Sequence, residues 1–146
     1  MRVLRLARAR WEVLAICDGD GRCPVLDLLQ EGYREGSKEA RDKMLSLLID
    51  SVPFEGPQLR NPTVCKPLRP LADGLFEFRK QPKRGAKPRV IWFFDGERCI
   101  VCTVGFFKRD QVPETQLEQA RAMKAAYFEA KAQRRLSIIN PGEVKP

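Results

Sequence analysis

The stretch that decides the fold runs from Leu75 to Phe106 and reads LFEFRKQPKRGAKPRVIWFFDGERCIVCTVGF. Its apolar runs are separated by residues that favour turns, and Asp95-Gly96 is a dipeptide typical of tight hairpins. The pattern predicts three strands in chain order, over Leu75–Lys80, Arg89–Phe94 and Arg98–Phe106. Because their connections are short, we expect these strands to form an antiparallel meander.

The first of these strands alternates large apolar residues with charged ones, as LFEFR at Leu75–Arg79. Side chains along a strand point alternately to opposite faces, so Glu77 and Arg79 share one face. Antiparallel pairing places Arg89, at the start of the next strand, beside them. We therefore expect a solvated cationic surface with one carboxylate inside it.

Further elements flank the meander. We predict a strand over Arg10–Cys17, a helix from Pro24 to about Glu31, a second helix over Lys38–Ser51 and a last helix over Val112–Lys131. The five prolines of Pro53–Pro70 predict an irregular connection. The fold class is α+β, with an antiparallel twisted sheet, an N-terminal helical hairpin, a C-terminal helix and the helices on one face of the sheet. Residues 10–131 form the domain, residues 1–9 an N-terminal extension and residues 132–146 a tail.

The composition points to an anionic partner. The 146 residues include 27 basic and 19 acidic ones, which gives a formal net charge of +8. Nucleic acid is the first candidate for this partner, and an acidic protein or a membrane surface is the second. Because the chain has no histidine, imidazole catalysis and histidine-ligated metal sites are excluded. No apolar run has the length of a membrane span, and arginines interrupt the apolar N-terminus, so we expect a cytoplasmic protein without a signal peptide.

The five cysteines are expected to be reduced thiols, because their number is odd and no secretion signal is present. Cys99 and Cys102 have the spacing of zinc and redox motifs. They lie in a predicted strand, where residues three apart point to opposite faces. We therefore expect the two side chains to diverge and to pack in the core.

Five segments follow one another along the chain in a recognisable order. They are WEVLAICDGDGRCPVLDLL at Trp11–Leu29, GPQLRNPTVCKPL at Gly56–Leu68, DGLFEFR at Asp73–Arg79, PRVIWFFDG at Pro88–Gly96 and GFFKRDQVPETQLEQA at Gly105–Ala120. Together they resemble the phage-derived RelE/HigB-like toxins, over roughly residues 10–131. The resemblance implies a RelE-like fold and the toxin half of a type II toxin–antitoxin pair. Such toxins are endoribonucleases that cleave mRNA, often on the ribosome, and need no cofactor or metal.

The resemblance also implies partners. The first is a cognate antitoxin, a small protein that commonly carries a helix-turn-helix DNA-binding domain and neutralises the toxin by binding it. The others are mRNA and the ribosome. Promoter DNA is contacted only through the complex with the antitoxin, and no membrane is involved.

Candidate catalytic residues follow from the chemistry of RNA cleavage. A base removes the proton of the 2′-hydroxyl, cations stabilise the charge on the phosphate, and an acid protonates the leaving oxygen. The resemblance gives phosphate stabilisation to Arg89 and an acid or base role to Glu77. Lys108 or Arg109 stabilises charge or protonates the leaving group. Arg79 shares the face of Glu77 and orients it or binds phosphate.

Other residues are candidates for binding RNA. Lys66 and Arg69 match basic positions of the family that precede the Glu77 strand. Phe106 and Phe107 flank the cationic surface, where bases stack on aromatic rings, whereas Phe76 is expected in the core.

The residues leave two other interpretations open. One is a phage-type factor on the same fold that binds RNA or a host protein without catalysis, and the other is a structural basic domain. Under every interpretation an exposed Arg89–Glu77 pair would contribute only about 0–1 kcal/mol. We therefore expect Arg89→Ala to stay folded.

Overall fold

The chain forms a seven-stranded sheet with helices on it, in a computed structural model that describes residues 1–30, 38–68, 74–108 and 112–141. The strands are β1 (Arg2–Arg8), β2 (Glu12–Ile16), β3 (Cys65–Leu68), β4 (Leu75–Arg79), β5 (Lys87–Phe94), β6 (Cys99–Lys108) and β7 (Ser137–Ile139). The helices are α1 (Pro24–Leu29), α2 (Lys38–Ser46), α3 (Val52–Glu55) and α4 (Glu114–Ala132), with a π-helical turn over Leu47–Ser51 between α2 and α3.

The predicted meander is confirmed as the centre of the sheet. The strand order is β3-β4-β5-β6-β2-β1-β7, and β4 pairs antiparallel with β5, as β5 does with β6. The turn between β5 and β6 is closed by a hydrogen bond from the Asp95 amide to the Cys99 carbonyl, with Gly96 at a φ of 78°. The pairs β2–β6 and β1–β7 are parallel, so the sheet is mixed but mostly antiparallel.

Helices cover both faces of the sheet, so the prediction that they pack on one face is wrong. One core lies under α1 and α2 and includes Val90 and Trp92, and the other lies under α4 and includes Ile91 and Phe93. The reason is that β5 is apolar on both faces. Because each apolar face must leave water, such a strand needs a layer on either side.

Three segments outside the predicted elements are strands. Arg2–Arg8, predicted as part of an N-terminal extension, pairs with β2, and Ser137–Ile139, predicted in a loose tail, pairs with β1. Cys65–Leu68, inside the predicted irregular connection, forms the edge strand β3. An edge strand tolerates Pro67 because one side of its backbone needs no partner. Edge strands of this kind carry little local signal, since their neighbours in the sheet decide them.

The helical part of the prediction is confirmed only in places. Helix α2 covers Lys38–Ser46 within the predicted helix, and the helical path continues through Pro53 to Glu55, beyond the predicted end at Ser51. Residues 31–37, which join α1 to α2, lie outside the described ranges, so the helical hairpin stays a prediction. None of the helices in the described ranges combines the length and the hydropathy that crossing a membrane requires.

The described cysteines are free thiols, and the two of the CxxC spacing diverge as predicted. Cys102 packs in the core under α1, whereas Cys99 packs against the core under α4. This arrangement follows from the strand geometry of β6, in which residues three apart face opposite ways.

Candidate functional site

The register of four neighbouring strands brings five predicted site residues together at one end of the sheet. Lys66 on β3 pairs with Glu77 on β4, and Arg79 on β4 pairs with Arg89 on β5. The fifth residue is Lys108 at the end of β6, which pairs with Lys87 on β5. We call these five residues the cationic cluster: Lys66, Glu77, Arg79, Arg89 and Lys108. They lie on the face that α4 covers further along the sheet, beside Ile91 and Phe106.

Glu77 and Arg89 are buried, so the prediction of a solvated polar face is wrong for them. Glu77 has no exposed surface and Arg89 is 2% exposed. The Arg89 Nε atom lies 3.3 Å from Glu77 Oε1, and Arg79 Nε lies 3.5 Å from the same oxygen. The physical reason is the position of β4 and β5 inside the sheet, where neighbouring strands flank both residues and the guanidinium groups cover the carboxylate.

The hydrogen bonding in this pair is incomplete. Arg89 Nη1 donates to the carbonyl oxygens of Pro88 at 2.8 Å and Lys80 at 3.1 Å. Within the described residues, however, Arg89 Nε and both carboxylate oxygens of Glu77 make no hydrogen bond. Burial lowers the pKa of Arg89, while the Glu77 charge opposes that shift. Buried polar atoms without hydrogen bonds are rare in native proteins, and a catalytic role is one explanation for them.

Lys108 is a lysine of this cluster with a lowered pKa. It is half-buried, and burial is the main cause that lowers the pKa of its ammonium below the ordinary value of 10.5. The nearby charges of Lys66, Arg89 and Arg79 lower that pKa further, and the Glu77 charge raises it. A lysine in such surroundings gives up its proton more readily than an exposed one, and that property suits proton transfer.

A small cavity lies beside the two arginines. Its volume is about 180 Å³, and it is lined by Thr63, Arg79, Lys80, Gln81 and Arg89. A second cavity of about 360 Å³ shares three of these lining residues and extends to Lys43 on α2. Arginine recognises phosphate by paired charge-assisted hydrogen bonds, so the smaller cavity has the chemistry of a phosphate site.

Sequence reasoning missed the lining residues Thr63 and Gln81. Thr63 comes from the segment that was predicted to be irregular, and Gln81 follows β4. Neither residue carries a pattern of its own, because both reach the cavity only through the fold of the chain around the end of β4.

The aromatic candidates are not exposed stacking surfaces. Phe106 is 5% and Phe107 is 8% exposed. Phe76 packs on Trp92 with ring centroids 4.7 Å apart, as expected for a core residue. Tyr127 lies elsewhere, because its hydroxyl donates to Asp95 at 2.6 Å beside the β5–β6 turn. Burial, and after it the hydrogen bond to Asp95, raises the pKa of Tyr127. This bond anchors α4 at the far end of the sheet from Arg89.

Two predicted site residues, Arg69 and Arg109, lie outside the described ranges. The described residues contain no group of three or more cysteine, aspartate and glutamate side chains that would hold a metal ion.

Comparison with known proteins places the chain in a family. A search of curated proteins gave no match. The profile of the family described as phage-derived protein Gp49-like (DUF891) matches residues 33–125, nearly two thirds of the chain. The matched range includes all seven predicted site residues, from Lys66 to Arg109. The chain therefore belongs to the phage-derived Gp49-like family, which is of the type II toxin–antitoxin kind.

Proposed function

We propose that this protein is the toxin of a type II toxin–antitoxin pair and an endoribonuclease that cleaves mRNA on the ribosome. The observation that carries the proposal is the cationic cluster, in which four cations surround one buried carboxylate beside a cavity of about 180 Å³ that both arginines line. Membership in the Gp49-like family supports the same function. So does the net charge of +8, which favours an anionic polymer as substrate.

The arginines of the cluster bind the scissile phosphate in this proposal. Both Arg79 and Arg89 line the cavity, and the Arg79 side chain is 29% exposed. A fixed cation at the phosphate stabilises the charge that builds up when the 2′-hydroxyl attacks. Glu77 has no exposed surface, so it acts as a positioning residue that holds the two guanidinium groups rather than as the base.

In this proposal Lys108 transfers the proton from the attacking 2′-hydroxyl to the leaving 5′-oxygen. As the half-buried cation with a lowered pKa, it is the member of the cluster best suited to take the proton of the 2′-hydroxyl. Protonated Lys108 can then donate to the leaving 5′-oxygen, so one side chain serves both steps. A cluster with four cations and one carboxylate repels a divalent metal ion, so the proposed reaction uses none.

The proposal includes further RNA-binding residues, the fold type and the antitoxin partner. Lys66, on the edge strand β3, and Arg69 bind the RNA strand on either side of the scissile phosphate, and Arg109 adds charge next to Lys108. We propose that the sheet and its flanking helices form a RelE-like fold. A cognate antitoxin, typically one with a helix-turn-helix DNA-binding domain, neutralises the protein and connects it to promoter DNA.

The experiment is induction in a bacterium that lacks the antitoxin, followed by mapping of mRNA 5′ ends. We expect growth to stop and new 5′ ends to appear with the natural chain and with Lys83→Gln. Lys83 is an exposed control outside the cluster, whose backbone amide donates to Glu39. Lys108→Gln should abolish both effects. Normal growth and unchanged 5′ ends with soluble, folded natural protein would overturn the proposal.

The burial of Glu77 favours a second candidate, a factor that binds RNA without cleaving it. In the described residues this cluster presents no exposed carboxylate that can serve as a base. RNA binding that depends on the cluster, without new 5′ ends, would support this candidate over the endoribonuclease.

A further inference from the structure

Cys17 and Cys23 lie on either side of a closed turn between β2 and α1. Cys17 directly follows β2, and Cys23 directly precedes α1. The Asp18 amide donates to the Arg22 carbonyl at 2.6 Å, and the Gly21 amide donates to the Asp18 carbonyl at 3.0 Å. The Asp18 side chain accepts two more backbone hydrogen bonds within the turn, from Asp20 and Arg22. These bonds hold the two cysteines at the two ends of the turn.

The Cys17 and Cys23 side chains lie in the same core under α1 and are buried, at 9% and 4% exposure respectively. A side-chain hydrogen bond with Cys23 is the main cause that lowers the pKa of Cys17 to about 7, helped by the charge of Arg2 and opposed by burial and by Asp18. The same hydrogen bond and burial raise the pKa of Cys23.

The other thiols lack this chemistry. Burial raises the pKa of Cys65 to about 12 and that of Cys99 to about 12, and it also raises the pKa of Cys102. Reactivity of a cysteine follows its thiolate fraction, so Cys17 is the nucleophilic thiol of the described residues.

We propose that Cys17 and Cys23 are a redox dithiol that hydrogen peroxide converts to a reversible disulfide. The Cys17 thiolate attacks one peroxide oxygen, the O–O bond breaks, and Cys17 becomes a sulfenic acid while hydroxide leaves. The Cys23 thiol then attacks the Cys17 sulfur, the S–O bond breaks, and water leaves with the proton of Cys23. Overall, two thiols lose two electrons and two protons, and one peroxide becomes two waters.

The geometry favours this oxidant and this pair. A site with 9% exposure admits a small peroxide more readily than a bulky disulfide such as oxidised glutathione. Because the closed turn holds the two cysteines at its ends, the second step is intramolecular, and side-chain rotation brings the sulfurs to the S–S length of about 2.05 Å. The site lies in the core under α1, away from the cationic cluster, so the inference does not depend on the proposed function.

The experiment uses the folded full chain with a few equivalents of hydrogen peroxide, alkylation of free thiols and trypsin digestion. Cleavage after Arg10, Arg22 and Arg34 separates Trp11–Arg22 from Cys23–Arg34. We expect a linked pair of these two peptides, two hydrogens lighter than their sum, that dithiothreitol separates. It should form more than tenfold faster than any oxidation product of Cys99, because Cys99 has a far smaller thiolate fraction.

Single variants test each role. Cys23→Ser should leave Cys17 as a sulfenic acid that dimedone traps, whereas Cys17→Ser should leave Cys23 unoxidised at the same dose. Cys99→Ser is the matched control and should still form the link. The inference is overturned if Cys23–Arg34 links instead to the Cys102 peptide, Cys99–Lys108, or if Cys17 and Cys23 are both fully alkylated after peroxide treatment. Replacing peroxide with oxidised glutathione should give a much slower link, and an equal rate would overturn peroxide as the oxidant.

Discussion

Arg89 and Glu77 form a buried ion pair, so the charge of each side chain offsets the free-energy cost of burying the other. Removal of Arg89 would take away the cation 3.3 Å from the buried Glu77 carboxylate and leave Arg79 at 3.5 Å. Breaking a buried pair on one side typically costs about 3–5 kcal/mol. We therefore expect Arg89→Ala to lower the free energy of unfolding by about that amount, measured by urea titration. This loss is larger than the value of about 0–1 kcal/mol that was expected for an exposed Arg89–Glu77 pair.

A double variant serves as the control for this prediction. Glu77→Gln in the Arg89→Ala background removes the unpaired charge, so it should recover a substantial part of the lost stability. A loss below about 1 kcal/mol for Arg89→Ala alone would match the range of exposed pairs and contradict the burial of this one.

Lys108 should give the cleavage rate its dependence on pH. Its folded-state pKa lies below 10.5, so it loses its proton at lower pH than an exposed lysine. If the neutral amine is the base, the rate rises with pH until Lys108 is deprotonated and then levels off. Lys108→Arg keeps the charge but does not titrate in this range, so we expect the rise to vanish and the rate to fall about 10²–10⁴-fold.

The matched control is Lys83→Arg, which makes the same change on an exposed residue outside the cationic cluster. It should leave the pH profile unchanged. A Lys108→Arg protein that cleaves at the natural rate would show that Lys108 supplies charge alone.

The contact of α1 with β6 depends on Gly105. A Cβ atom at this position would lie 2.8 Å from Leu28 Cδ2 and 3.1 Å from Leu28 Cβ, which is closer than packed atoms allow. Overpacking of this kind costs about 1–3 kcal/mol. We expect Gly105→Ala to lower the free energy of unfolding by that amount and to shift the end of β6, which carries Lys108.

Gly19→Ala is the control for this element, because a Cβ there meets no atom within 4 Å. Its stability should stay within about 0.5 kcal/mol of the natural chain, as is usual for surface substitutions. Equal losses for the two variants in urea titration would mean that the packing of Leu28 on β6 is not the cause.

At the scale of the whole molecule, the charge of +8 should make RNA binding depend strongly on salt. Each phosphate contact on a single strand contributes about 0.7 to the slope of log affinity against log salt concentration. Replacement of Lys66 and Arg79 by alanine should therefore lower the slope by about 1.4, measured by titration of a labelled single-stranded RNA. Lys83→Ala with Arg84→Ala removes the same charge from the loop between β4 and β5 and should change the slope less. Equal reductions would place the RNA on a diffuse surface rather than on the cluster.

The sequence alone predicted the features that arise from local patterns. Alternation in LFEFR, the apolar run before Asp95-Gly96 and the apolar run after it specify the meander, because side-chain period and turn chemistry are properties of neighbouring residues. Strand register likewise puts Glu77, Arg79 and Arg89 side by side, and the divergence of Cys99 and Cys102 follows from strand geometry.

Only the tertiary structure decided what depends on residues far apart in the chain. The edge strands β3 and β7 exist because other strands offer them backbone partners, and helices cover both faces because β5 is apolar on each. Burial of Glu77 and the lowered pKa of Lys108 arise from side chains of several strands that meet at one end of the sheet. Burial and electrostatic environment are sums over such distant neighbours, so local patterns in the sequence do not carry them.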